Sequence, residues 1–112
     1  MSFNDQARRV RDAGNTPWRR LSSLRACLRS YCRLSGASYE NLSAYLEIDY
    51  WAQPRRLPPT PAFLRRTLDE IERERNRYLE RRRLFERRRV LAKWRGNRQM
   101  SNAERKTLKE LL

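Results

Sequence analysis

The sequence predicts an all-α protein: a small helical domain of about five helices, one of them a long Arg-rich helix over about 61–95. Three observations point there. The chain holds only two Val and two Ile, which leaves little β-branched material for strands. Its three Gly and five Pro fall between helix-like stretches rather than inside them. Within those stretches apolar residues recur at steps of three and four, the period of one helix face. With 112 residues the chain reads as a single domain, 1–112, whose core buries roughly two-thirds of the unfolded surface. A hydrophobic content of 38% makes that core thin.

The N-terminal helices occupy 1–52. A short first helix fits Asp5 to Ala13, capped by Asn4. The second opens with Thr16 as cap and Pro17 at the first helical position, and runs to about Leu34. Its apolar residues Trp18, Leu21, Leu24, Leu28 and Tyr31 share one face, and Arg25, Arg29 and Arg33 step by four along a neighbouring stripe. Gly14, Gly36 and Gly96 each follow a helix-like stretch, where a left-handed residue ends a helix. The third helix starts after Ser38 and reaches Tyr50 or Trp51, with Leu42, Tyr45, Leu46 and Ile48 available for burial. Ser38 to Asp49 also has the rhythm of the first helix and turn of a helix-turn-helix. Glu47 stands where Gly is usual there, and Pro54 stops the next helix after one turn, so an ordinary packed helix is preferred.

Residues 53–60 contain three prolines and form a stiff connector. Pro61 to Arg95 holds no Gly or further Pro and would make a helix roughly 52 Å long at 1.5 Å per residue. Glu70–Arg73, Glu72–Arg75, Glu74–Arg77, Glu80–Arg83 and Glu86–Arg89 are i,i+3 pairs along it. Leu64, Ile71, Tyr78, Phe85 and Ala92 lie seven apart, but Arg75, Arg82 and Arg89 fill the d positions after Leu68, a poor dimer seam. The row is expected to pack on the second and third helices, and self-association through the first two heptads stays open. A last helix falls within 101–112: Ser101 and Glu104 form a capping box, and Leu108, Leu111 and Leu112 follow. The LxxLL spacing of those leucines reads as core.

Charge narrows the function. The chain carries 27 basic and 13 acidic residues, a net charge of +14, and 24 of the basic residues are Arg. Residues 35–53 are acidic, with Glu40, Glu47 and Asp49 and no basic residue, whereas residues 77–95 hold nine basic and two acidic residues. Arg77, Arg81, Arg82 and Arg83 are followed in that stretch by Arg87, Arg88 and Arg89, then Lys93, Trp94 and Arg95. The repeat Glu-Arg-Arg-Arg at 80–83 and 86–89 has a period of six, so its arginines wrap around a helix of 3.6 residues per turn. Arginine forks match phosphates and base edges, and an aromatic such as Trp94 can stack on a base.

The expected function is therefore a non-catalytic nucleic-acid-binding protein, RNA preferred to DNA, acting as a regulator or ribonucleoprotein component. Arg77 through Arg95 would bind, with Arg25, Arg29 and Arg33 as a second phosphate track. The alternative is an adaptor or inhibitor docking on an acidic protein surface through Leu79, Leu84, Val90, Leu91 and Trp94. No enzyme, cofactor or metal site is expected. The chain has no His and two Cys, and Cys27 and Cys32 lie about 140° apart on one helix, where they cannot bridge. They read as buried thiols of an intracellular, reducing compartment, with cytoplasm and nucleus both open. The acids Asp69, Glu70, Glu72 and Glu74 read as partners of neighbouring arginines. No run of about 18 apolar residues supports a membrane span, and the N-terminus shows no secretory or import signal.

Overall fold

The computed structural model describes residues 1–52, 57–96 and 100–111, and all the regular structure among them is helical. Five α-helices follow one another: α1 (Phe3–Arg11), α2 (Pro17–Ser35), α3 (Tyr39–Tyr45), α4 (Pro61–Arg95) and α5 (Asn102–Leu111). A 3₁₀ turn at Ile48–Ala52 comes after α3. Residues 53–56 of the Pro-rich connector and Leu112 of the C-terminal leucine trio lie outside the described residues.

Caps explain the helix bounds. Thr16 Oγ1 accepts the Arg19 N–H at 3.3 Å, and Gly36 closes α2 at a left-handed φ of 76°. Thr60 Oγ1 accepts the Phe63 N–H at 3.1 Å and starts α4 ahead of Pro61. The Ser101–Glu104 box is formed in both directions, each bond 3.2 Å.

Three local expectations are corrected. The first helix starts two residues early, because Ser2 rather than Asn4 is its cap and Ser2 with Asp5 completes a capping box. This start places Phe3, Ala7 and Val10 on one buried face. Gly14 is not a left-handed cap: Asp12 ends α1, and its Oδ1 accepts the Gly14 N–H at 2.9 Å. The third helix does not reach Tyr50. It stops at Tyr45, and Glu47 takes a positive φ of 57°. The turn buries Ile48 completely. Burying an Ile is worth about 1.5–3 kcal/mol, more than the ~1–2 kcal/mol strain of one left-handed residue.

Packing groups the chain into two compact units, Met1–Arg75 and Asn76–Leu112, with α4 running through both. In the first unit Phe3, Ala7 and Val10 of α1 meet Leu21, Leu24, Cys27 and Leu28 of α2 and Phe63, Leu64, Leu68 and Ile71 of α4. Ile48 joins this core, and Tyr39, Leu42 and Leu46 pack on its edge. Thus α1 shares the role expected of the second and third helices, and of the row spaced by seven only Leu64 and Ile71 are buried: Tyr78 is half-buried, and Phe85 and Ala92 are exposed. Trp18 stays exposed, and the inner face of α2 begins instead at Arg20 and Leu21. The Arg20 Nε–H, buried, donates to the Val10 carbonyl at 2.6 Å. Arg11 of α1 pairs with both Asp69 (3.3 Å) and Glu72 of α4. Glu72 therefore serves a tertiary contact instead of the expected pair with Arg75, whose guanidinium lies 4.6 Å from the Phe3 ring centroid.

In the second unit Val90 and Leu108 are buried. The Lys93 Nζ donates to Glu104 Oε1 at 2.9 Å and lies 2.7 Å from its Oε2, tying α4 to α5.

Candidate nucleic-acid interface

The C-terminal part of α4 positions the expected basic residues by simple helical repetition. Arg81, Arg82, Arg83, Arg87, Arg88 and Arg89 are all exposed. At 100° per residue they point at about 0, 100, 200, 240, 340 and 80° around the axis, so cationic groups surround the helix. Glu86 partners Arg82 at 4.0 Å rather than the expected Arg89, and both side chains are more than half exposed. A solvated pair of this kind contributes roughly 0.3–0.5 kcal/mol and leaves the guanidinium available. Arg77 and Arg95 are exposed as well.

Lys93 stands apart from this set. It is bound to Glu104, and the Lys93 ammonium, with the Ser101 N–H and hydroxyl, holds the Glu104 carboxyl down at about 2. Trp94 is 52% exposed, and Leu84 and Phe85 are 46% and 66% exposed on the same segment. Val90 is already buried, and Leu79 and Leu91 are half-buried. Of the apolar anchors expected for a protein partner, only Leu84 and Trp94 are well exposed, and Phe85 is the one sequence spacing did not include.

The second track is not presented as one open row. Arg25 faces Asp49 at 4.0 Å with its side chain 25% exposed. Arg29 lies 5.3 Å from the centroid of the Tyr39 ring. Arg33 is exposed. Arg29 also borders a groove of about 660 Å³ between α1 and α2, together with Arg9 and Arg19. Arg9 and Arg19 were not singled out from the sequence, because nothing in spacing along one helix reveals how α1 lies against α2.

Glu47 does adopt the left-handed conformation that a helix-turn-helix requires at that point, but the 3₁₀ turn after it is five residues long. The thiols are free and buried; desolvation pushes Cys27 up to about 12 and raises Cys32 as well. Among the described residues no group of three or more His, Cys, Asp or Glu is placed to hold a metal ion, and no helix is long and apolar enough to cross a membrane. The chain matches no protein-family model, no curated protein and no solved structure.

Proposed function

We propose that this protein binds nucleic acid through the exposed arginines of α4 and acts without catalysis, as a regulator or ribonucleoprotein component. The observation that carries this reading is the exposure of both Arg triplets, 81–83 and 87–89, on an unbroken helix within a stretch of net charge +7. Cations around the whole circumference suit a ligand that surrounds a helix, such as a groove, better than a flat surface. RNA is preferred to duplex DNA because Phe85 and Trp94 are exposed among the arginines and can stack on unpaired bases. Two unpaired thiols suit a reducing interior of the cell.

The test is the salt dependence of binding to a fluorescein-labelled RNA. If six phosphates are neutralised, log K should fall against log salt with a slope of about −4 to −5. Replacing Arg82 and Arg88 together by Ala should flatten that slope by about 1.5. No binding at low salt, or a flat slope, overturns the proposal.

The exposed Leu84, Phe85 and Trp94 favour a second reading, an adaptor docking on an acidic protein surface. There Leu84→Ala with Phe85→Ala would cost more affinity than the arginine pair and leave the salt slope unchanged. A pulldown with and without nuclease separates the two partner classes.

A further inference from the structure

A second cationic feature lies within the Met1–Arg75 unit. The groove between α1 and α2 is bordered by Arg9 on α1 and by Arg19 and Arg29 on α2, with Gln6, Asn15 and Ser22 between them. The α2 side is a stripe: residues 19, 22, 26 and 29 step by three, four and three, so they share one face. Two arginines stand at the ends of that stripe, and Ser22 and Ala26 between them keep its middle low. The single carboxylate on the rim, Asp12, is turned to the backbone, its Oδ1 accepting the Gly14 N–H. Among the described residues neither Arg9 nor Arg19 meets a carboxylate. This contrasts with Arg11, which is held by Asp69 and Glu72, and with Arg20, which is buried against Val10. The fold therefore sorts neighbouring arginines into structural ones and ones left open on a concave polar surface.

We propose that the α1–α2 groove binds phosphate, with Arg9, Arg19 and Arg29 as the groups that hold it. Guanidinium forks donate paired hydrogen bonds to phosphate oxygens, and the hydroxyl of Ser22 adds a neutral donor; the Asn15 amide donates to the Arg9 carbonyl at 3.4 Å and the Gln6 amide to Met1 Sδ at 3.3 Å. Arg19 and Arg29 are ten residues apart, about 15 Å along the α2 axis. That spread suits successive phosphates of a strand better than one ion, so the source of the phosphate is a nucleic-acid backbone. This last step rests on the function proposed above; the phosphate chemistry of the groove does not.

The experiment uses the full chain, a fluorescein-labelled single-stranded RNA dodecamer and, separately, inorganic phosphate. Arg9→Gln with Arg19→Gln should weaken RNA binding at least about tenfold at low salt, as expected for losing charge-assisted bonds. It should also flatten the salt slope by about 1.5. Both side chains are on the surface, and unchanged helicity by circular dichroism confirms that the variant is folded. Arg19→Lys keeps the charge and loses the fork, so it should recover the slope but only part of the affinity. In ¹⁵N spectra, the Arg9, Arg19 and Arg29 side-chain signals should move on adding RNA. RNA binding with an unchanged slope in the double variant overturns the groove and leaves α4 as the interface. If RNA does not bind but inorganic phosphate shifts those three signals, the groove stands as a site for a free phosphate and the nucleic-acid reading falls. If neither probe moves them, the groove is not a phosphate site.

Discussion

Glu47 shows what a single residue can concede to packing. Its φ of 57° strains a side-chain-bearing residue, and the turn is kept because Ile48 is buried beyond it. Glu47→Gly removes the strain of about 1–2 kcal/mol and adds the backbone entropy cost of glycine, about 0.5–1 kcal/mol. The variant should therefore gain about 0.5–1 kcal/mol in urea denaturation; a loss would mean that the Glu47 side chain contributes to the fold. This residue was legible only in part. Its sequence position marks a turn, but nothing local says that the chain accepts the strain instead of continuing the helix. The same limit applies to Arg11 and Arg20, which look like any other arginines of a basic chain. Their partners are a carboxylate pair and a backbone carbonyl on other helices, and such pairings exist only once the helices meet.

Among elements, those with self-contained signals were readable. Thr16-Pro17 with Gly36 fix both ends of α2, and Thr60-Pro61 and Ser101 with Glu104 fix the starts of α4 and α5, by bonds within four residues of each cap. The third helix failed because its end is set by tertiary burial. The α5 cap has a further consequence for pH. Its carboxylate, Glu104, is held at about 2 against an ordinary value of 4.5. A lowered carboxyl contributes stability that is complete above the ordinary value and is lost as pH falls through the lowered one. The link between Lys93 and α5 should thus survive at pH 4 and fail near pH 2. An NMR titration of the Glu104 side chain reads this directly, with a midpoint near 2 that moves up towards 4.5 in Lys93→Ala. A wild-type midpoint at 4.5 would remove the clamp from the account of α5.

At the scale of the molecule, burial and charge occupy different parts of the chain. The largest fully buried side chains, Leu21, Leu24, Leu28, Ile48, Leu64, Leu68 and Ile71, all precede residue 76, while residues 80–89 are exposed throughout. Leu64, Leu68 and Ile71 share one helix face whereas the apolar residues after Tyr78 scatter around the axis, a change the sequence itself carries. The groove bordered by Arg9 and Arg19 was not legible there, since it belongs to the relation of two helices. Leu68→Ala should cost about 2–5 kcal/mol in urea denaturation, whereas Phe85→Ala should change stability by less than about 0.5 kcal/mol. Comparable losses from the two would contradict this division of labour.

The cysteines then acquire a use that has nothing to do with partners or charge. Both lie in the core of the Met1–Arg75 unit, and the rest of the chain has none. With its thiol held protonated to about 12 and fully enclosed, Cys27 is silent to alkylating reagents while the core is closed. Its modification rate at neutral pH is a clock that runs only during openings of that core. One native side chain thus times the breathing of the Met1–Arg75 core without an added probe.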